Sequence, residues 1–265
     1  MEYPAGKKTE TYRAPDGVET IDELAFALSR SLKSVVLPES TKSVGTGAFK
    51  NCLSLASIDL PESIENIGSD AFDYCQALTT IDWPDATTNV GERAFAHCSK
   101  LESVELSDAI KTIEANAFFK CASLASIDLP KSLETIGSGA FSGCAALKTL
   151  DLPESLTTLK GSAFVDCISL ESVKLPTSLT TIEAGSFRSC SSLKSVDLPK
   201  SLKSIKNSAF SRCSELTSLD LPDSVEEIGE NAFYKCSKLT LTASRGSVAE
   251  KYAQKEQIQF QARER

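Results

Sequence analysis

The sequence predicts an α/β solenoid, a stack of short coils in which a parallel β-strand recurs once per coil. Three columns of identical residues predict this fold. The nine cysteines, from Cys52 to Cys236, each lie 23 residues after the one before. Ten of the twelve phenylalanines and nine of the ten prolines keep the same step. A fixed period of about 20–29 residues built on leucines is typical of units that cannot bury their apolar side alone and must stack.

The repeat continues without a linker, so we expect one domain in the 265 residues. We divide the chain into an N-terminal connector at 1–12, ten 23-residue repeats at 13–242, and a C-terminal cap and tail at 243–265. The polar opening of the chain lacks the apolar segment of a signal peptide. We therefore expect the connector to lead in from a preceding part of a longer protein.

The composition is that of a protein that packs an apolar core. It is 41% hydrophobic and 24% charged, and no apolar run approaches the roughly 20 residues that a membrane helix needs. We expect no membrane insertion. The net charge of -8 disfavours nucleic acid and anionic lipid as partners, because both attract clustered Lys and Arg. A basic ligand or a cation is favoured instead.

The nine cysteines allow two interpretations. Stacked coils bring equivalent Cα atoms to about 5 Å, which a disulfide tolerates, but an odd number cannot all pair and parallel side chains do not point at each other. We favour free, buried thiols that act as small core hydrophobes. Zinc is disfavoured because the chain has no C-x-x-C pair and the lone histidine, His97, has no second ligand residue; we expect His97 to be a surface residue next to a core position. We expect no cofactor.

Residues 55–77 illustrate one unit. The L-x-x-[ILV]-x-L opening alternates as a half-buried strand does, and Pro61 ends the strand because it has no N–H to donate. Connections of about 17 residues require successive strands to lie parallel. Ten such strands, spaced by about 4.8 Å, would form a sheet on the order of 45 Å long.

The rest of the unit returns the chain across the core. Ile64 and Ile67 are apolar residues three apart that cross it. The A-F-x-x-C segment then places Ala71, Phe72 and Cys75 at the spacing of a single helical or 3₁₀ turn with one face inward. We expect a column of stacked phenylalanines beside a column of thiols, both serving the core.

The unit L-x-S-I-D-L-P-x-S-[LIV]-x-x-I-x-x-x-A-F-x-x-C-x-x resembles the leucine-rich repeat family, and within it the BspA-like (Treponema pallidum-type) class. The likeness covers about residues 13–242, and its few departures leave the register intact: Ser29 for Cys, Ser107 for Pro, Ser186 for Ala and Trp83 for Leu. The resemblance implies a leucine-rich repeat solenoid with a parallel β-sheet on the concave face and short helical or 3₁₀ turns on the convex side. It also implies a C-terminal cap and an extracellular or cell-surface location.

The chain after the last repeat predicts that cap. Ser247 and Glu250 form an S-x-x-E capping box, which begins a helix with an apolar stripe that includes Tyr252 and Ala253. A short extended segment at 258–260 follows. An open solenoid needs such an end because its last coil would otherwise expose core.

Two outward-facing columns are more regular than folding requires. The hydroxyl column consists of Ser34, Ser57, Thr80, Ser103, Ser126, Thr149, Ser172, Ser195 and Ser218. The acidic column, two residues further on and interrupted by Val36 and Lys174, consists of Asp59, Asp82, Glu105, Asp128, Asp151, Asp197 and Asp220. The candidate ligand contacts are these acids together with the hydroxyl residue two positions before each: Ser57, Thr80, Ser103, Ser126, Thr149, Ser195 and Ser218.

Acids stacked about 5 Å apart repel by a little under ~1 kcal/mol per pair even in water. One interpretation is a negative groove for a basic or hydroxyl-rich partner. The other is a repeat consensus amplified by duplication, in which the charges keep an exposed sheet soluble. Lys33, Lys148 and Lys194, one residue before the hydroxyl column, are expected to neutralise the acids in part. A flat row offers calcium too few ligands.

The third and fourth units depart most from the consensus, at Trp83, Asn89, His97, Ser107 and Phe119. Trp83 replaces a buried strand leucine, so we expect a larger core residue. Phe119 adjoins Phe118 and must point elsewhere. We expect it as an exposed aromatic on the convex edge and a candidate contact.

Catalytic motifs are missing from the sequence. It contains no G-x-S-x-G, H-E-x-x-H or P-loop, and one histidine supports no Ser-His-Asp or Cys-His arrangement away from His97. We therefore expect no enzyme. Our hypothesis is a protein-binding module, the ectodomain of a microbial surface adhesin-like protein that contacts host or microbial macromolecules. The alternative is an intracellular leucine-rich repeat scaffold with reduced thiols.

Overall fold

The computed structural model describes residues 9–264, which form one solenoid with two rows of short parallel strands. Residues 1–8 of the predicted connector lie outside the described residues. The concave row consists of β1 (Thr11–Arg13), β3 (Ser34–Val36), β5 (Ser57–Asp59), β7 (Thr80–Asp82), β9 (Ser103–Glu105), β12 (Thr149–Asp151), β14 (Ser172–Lys174), β16 (Ser195–Asp197), β18 (Ser218–Asp220), β20 (Thr240–Ala243) and β21 (Gln259–Ala262). The second row consists of β2 (Thr20–Ile21), β4 (Ser43–Val44), β6 (Asn66–Ile67), β8 (Asn89–Val90), β10 (Thr112–Ile113), β11 (Thr135–Ile136), β13 (Thr158–Leu159), β15 (Thr181–Ile182), β17 (Ser204–Ile205) and β19 (Glu227–Ile228).

Pairing within the repeats joins each strand residue to its equivalent in the next coil. Val35 pairs with Ile58 in the concave row, and Ile21 pairs with Val44 in the second row. The predicted parallel strand in each coil and the solenoid fold are therefore confirmed. The second row is an addition, because apolar residues three apart are as typical of a helical turn as of an extended segment that re-enters the core.

The A-F-x-x-C segments form single turns on the convex side. The Cys75 N–H donates to the Phe72 carbonyl oxygen at 3.0 Å, an i→i−3 bond, while the Phe72 N–H donates to the Ala94 carbonyl oxygen of the next coil at 2.8 Å. Asp70 and Tyr74 flank Phe72 with left-handed φ angles of 56° and 62°. Because L-residues do not continue a helix in this conformation, each turn stops after one bond.

The described residues contain one α-helix, α1 (Val248–Glu256), and it belongs to the cap. The predicted N-cap begins it: Ser247 Oγ accepts from the Glu250 N–H at 3.3 Å. The second half of the capping box differs, because the Glu250 carboxylate accepts from the Gly246 N–H and not from that of Ser247. Tyr252 packs edge-on against Phe233 with ring centroids 5.8 Å apart. Strand β21 then pairs parallel with β20 and closes the concave row. Within residues 9–264, no helix combines the length and apolar surface required to cross a bilayer.

The core contains the predicted phenylalanine column. Rings from Phe26 to Phe233 stack nearly parallel with centroids 5.0–5.7 Å apart. At the N-terminal end, Tyr12 packs edge-on against Phe26 at 5.1 Å. Aromatic pairs at these separations add about 0.5–1.5 kcal/mol beyond the burial of their area, so the column ties each coil to the next.

The cysteines are buried and free, as predicted. Each thiol donates to the carbonyl oxygen of the phenylalanine 26 residues earlier, as Cys52 Sγ does to Phe26 at 3.0 Å. Burial raises the pKa of the Cys52 thiol to about 12. This thiol is therefore a neutral core group at physiological pH.

Candidate binding surface

The fourteen predicted ligand contacts are all exposed and lie along the concave row. In strands such as β5, the middle residue Ile58 is buried while Ser57 and Asp59 are exposed. Successive side chains of a strand point to opposite faces, so the hydroxyl and acidic columns share the solvent face. Ser126 and Asp128 are exposed at the equivalent positions, although residues 126–128 form no strand.

The concave row is interrupted in three places. It divides into the segments β1-β3-β5, β7-β9, β12-β14-β16 and β18-β20-β21. At each gap, the neighbouring members of the acidic column are all acids. They are Asp59 and Asp82 at the first gap, Glu105, Asp128 and Asp151 at the second, and Asp197 and Asp220 at the third. The strand pairing of the ten-stranded sheet expected from the sequence is therefore not continuous, and its gaps coincide with adjacent acids. The coils remain in contact at two of the gaps, where the Lys148 N–H donates to the Ala125 carbonyl oxygen and the Thr217 N–H to that of Lys194, both at 3.3 Å.

Where the strands are paired, the residues at the acidic-column position are mostly not two acids. Lys174 lies between Asp151 and Asp197, and both of these junctions are hydrogen-bonded. Within the described acidic column, the pair Asp82 and Glu105 is the one acid–acid junction whose strands remain paired. Like charges directly opposed across strands are destabilising, and this repulsion gives a physical reason for the gaps. A cationic partner would relieve it.

At its C-terminal end, the acidic column already holds a guanidinium. Arg263 Nη2 lies 2.5 Å from Asp220 Oδ1, and Nη1 lies 3.1 Å from Asp223 Oδ1. Arg263 Nη2 also donates to the Leu221 carbonyl oxygen at 2.8 Å. The hydrogen bond to Asp220 raises the pKa of Arg263 above its ordinary value. The surface thus accommodates an arginine that reaches two carboxylates and a main-chain carbonyl.

Two of the three lysines beside the hydroxyl column pair with carboxylates outside the acidic column, so the expected partial neutralisation is wrong for Lys33 and Lys194. Lys33 Nζ lies 2.9 Å from Glu10 Oε1, and Lys194 Nζ lies 2.6 Å from Glu171 Oε2. Lys148 forms no ion pair within residues 9–264. Each paired lysine contacts the equivalent position of the preceding coil, because that neighbour is nearer than the acidic column. Apart from Asp220, the acids of the column make no ion pair within residues 9–264 and remain open to a partner.

Metal binding has no support in the described part of the chain, where no three His, Cys, Asp or Glu side chains are arranged to hold an ion. Seven exposed acids in one row present oxygens to one side only. Such a row suits an extended cationic ligand that contacts several coils.

The irregular units place a buried carboxylate on the convex side. Asp73 Oδ2 lies 3.0 Å from Arg93 Nη2 and 3.3 Å from Lys50 Nζ, and Asp73 Oδ1 lies 3.1 Å from His97 Nδ1. We name these residues, together with Asp70, the convex network. His97, expected at the surface, is instead mostly buried: its side chain is 16% exposed and pairs with Asp73.

Asp70 forms the solvent edge of the convex network. Its Oδ1 accepts hydrogen bonds from Lys50 Nζ at 2.9 Å and from Arg93 Nε at 3.0 Å. Burial alone would raise the pKa of the Asp70 carboxyl, but the two cations outweigh burial and hold that pKa below its ordinary value. The sequence signal for this cluster is opposite charges 20 and 23 residues apart, the separations of these two contacts.

Aromatic rings border the convex network. Tyr74 and His97 stack with centroids 3.9 Å apart, and Phe119 packs edge-on against His97 at 5.2 Å. Phe119 is thus partly buried and not the exposed aromatic expected. Trp83 is buried, as expected for a larger core residue, and packs edge-on against Phe95 at 5.3 Å.

A protein family with the same repeat matches the sequence of this chain. Residues 5–125 and 111–240 match the family model of the BspA type leucine rich repeat region. The chain belongs to this family. Leucine-rich repeat proteins generally bind proteins, and their fold typically serves as a non-enzymatic scaffold. No curated protein sequence matches the chain.

Solved structures share the BspA-type solenoid at low identity. A leucine rich cell surface protein from Faecalibacterium prausnitzii is 22% identical with a TM-score of 0.54, and the match covers 97% of this chain and 88% of that protein. A leucine-rich repeat protein from Bacteroides ovatus is 23% identical with a TM-score of 0.51, covering 96% and 92%. The pneumococcal vaccine antigen PcpA is 22% identical with a TM-score of 0.60, covering 91% and 73%. At these identities, the likeness supports the fold.

Proposed function

We propose that this leucine-rich repeat chain is a non-enzymatic binding module whose concave row holds a basic segment of a protein or other macromolecular partner. The observation that carries the proposal is the acidic column, which is exposed in seven coils and whose strands are unpaired at four of its five acid–acid junctions. Lys or Arg side chains of a partner would neutralise adjacent carboxylates and remove their mutual repulsion. The hydroxyl column beside it supplies hydrogen-bond donors and acceptors.

Arg263 supports an arginine-containing partner. Its guanidinium contacts Asp220, Asp223 and a backbone carbonyl at once, which a compact ammonium cannot do. An extended partner strand has side chains on one face about 6.8 Å apart, and the coils repeat at about 4.8 Å, so a partner lying across several coils meets more than one acid.

We further propose that the module acts at the microbial cell surface as part of an adhesin-like protein. The support is the family membership together with the shared fold of the F. prausnitzii protein, which is described as a cell surface protein. Contact with host or microbial macromolecules would then use the broad concave row and not a closed pocket.

The test measures binding of the full chain to a fluorescent nona-arginine peptide and to a panel of extracellular-matrix and plasma proteins across a salt series. A variant with Asp82, Asp128, Asp151 and Asp197 changed to Asn removes four charges from the acidic column. We expect at least about a tenfold loss of affinity and a shallower salt dependence, because each exposed ion pair contributes up to about 1 kcal/mol.

A matched variant controls for net charge. Glu39, Glu65, Glu92 and Glu114 are exposed, lie outside the acidic column and make no ion pair among the described residues, and their change to Gln alters the charge equally. We expect this variant to bind within about twofold of the wild type. Equal losses of affinity in the two variants would show that binding depends on net charge and not on the acidic column. A wild type that binds neither the peptide nor any protein of the panel would rule out the proposed function.

A further inference from the structure

A second surface lies on the convex side, towards the C-terminal end. A cleft of about 610 Å³ opens between successive turns there. We name it the convex cleft and define it by Arg188, Ser189, Ser208, Arg212, Asn231 and Tyr234. Its volume falls in the range of about 300–1,000 Å³ that is typical of small-ligand sites.

The convex cleft presents two guanidinium groups without carboxylate partners. Arg188 and Arg212 are exposed, and neither forms an ion pair within residues 9–264. Arg93, on the same side of the solenoid, is by contrast paired with Asp70 and Asp73. In a chain with a net charge of -8, two arginines left open in one cleft mark a site for an anionic group.

The remaining groups of the cleft indicate more than a simple anion. Ser189 and Ser208 offer hydroxyls and Asn231 offers an amide, all of which both donate and accept hydrogen bonds. Tyr234 presents an aromatic ring that is 49% exposed, with Lys235 Nζ 5.4 Å from its centroid. Exposed rings of this kind pack against the apolar face of a ligand ring.

Asp166 decides between a bare anion and an anionic sugar. Its carboxylate also lines the cleft and accepts hydrogen bonds only. It would repel an inorganic oxyanion, whereas the hydroxyls of a sugar donate to it. Two guanidiniums, a carboxylate, hydroxyls and an exposed ring are together complementary to a sugar that carries a negative group.

We propose that the convex cleft binds a sugar ring bearing a sulfate or carboxylate substituent, with Arg188 and Arg212 on the anionic group and Asp166 on sugar hydroxyls. This site is independent of the concave row, because it uses the opposite side of the solenoid and a ligand of opposite charge. The chain would thus recognise a basic partner on one face and an acidic glycan on the other.

The test is calorimetric titration of the full chain with a heparin-derived tetrasaccharide, 3′-sialyllactose, lactose and sodium sulfate as separate probes. We expect one or both anionic saccharides to bind at least about tenfold more tightly than lactose and than sulfate, since they alone combine charge-assisted hydrogen bonds to the two arginines with hydroxyl contacts to Asp166. The tetrasaccharide and sialyllactose distinguish a sulfated from a carboxylated ligand.

The double variant Arg188→Gln/Arg212→Gln should lose at least about tenfold in saccharide affinity. Arg30→Gln/Arg245→Gln removes the same charge from exposed positions outside the cleft and should stay within about twofold. Thermal melting confirms that both variants fold. Equal affinity for lactose and the anionic saccharides, sulfate binding as tight as saccharide binding, or equal losses in the two variants would each overturn the proposal.

Discussion

The convex side pairs its charged side chains in the convex network near the N-terminal end and leaves them unpaired in the convex cleft near the C-terminal end, on the same repeating backbone. Arg188 occupies the repeat position of Asp73, five repeats later, and Arg212 occupies that of His97. His97 and Arg212 share a left-handed φ, at 62° and 66°. Yet Asp73 is enclosed by Arg93, Lys50 and His97, while both arginines stay unpaired within the described residues. The repeat therefore sets the distances, and the signs of the charges decide whether a surface closes on itself or remains open.

The largest effect should come from removing the buried anion. Asp73→Ala would leave Arg93, Lys50 and His97 without their shared carboxylate, and we expect a loss of about 3 kcal/mol in the free energy of unfolding. Arg188→Ala, at the equivalent position, should change it by less than about 0.5 kcal/mol. Urea unfolding followed by circular dichroism measures both. Similar losses would show that the two ends do not differ in this way.

A pH series should sharpen the contrast further. Because the folded-state pKa of Asp70 is depressed, its ion pairs stabilise the chain above the ordinary aspartate pKa of about 3.9, and this stability is lost as the pH falls through the folded value. We expect the melting temperatures of wild type and Asp70→Asn to differ at about pH 7 and to converge near pH 2.

The cleft provides the control for this titration. Arg188→Gln removes a group that has no carboxylate partner among the described residues, so its offset from wild type should stay constant over the same range. An Asp70→Asn offset that is also constant with pH would remove the ion pairs of Asp70 as the cause.

The smallest expected effect concerns unpaired charge on the concave row. Asp128 has acids on both sides, so Asp128→Asn should stabilise the chain by about 0.5–1 kcal/mol in low salt and by less in about 1 M NaCl. Asp197 lies between Lys174 and Asp220, where attraction and repulsion offset, and Asp197→Asn should be nearly neutral. Equal shifts in the two variants would contradict repulsion as the origin of the gaps.

Sequence reasoning succeeded where a property follows from register. The 23-residue step predicted the parallel strands, the stacked Phe26-to-Phe233 column and the buried thiols, because equivalent residues of stacked coils must be neighbours. It failed where contacts cross between columns. The pairing of His97 with Asp73, over 24 residues, and the lysine contacts off the acidic column depend on side-chain reach between coils, which the period alone does not state.

The sequence by itself determined the solenoid, its family, its core columns and the exposed acidic column, since each follows from a pattern that recurs at a constant interval. The tertiary structure decided which charges meet. In a solenoid, residues 20 apart and residues 23 apart both lie in adjacent coils. Only the path of the convex turn decides which of these residues are in contact, as Lys50 and Arg93 are with Asp70. Burial then decides whether a carboxylate is paired within the chain. A carboxylate removed from water is stable only when cations contact it, whereas an exposed carboxylate can stay unpaired and available to a partner.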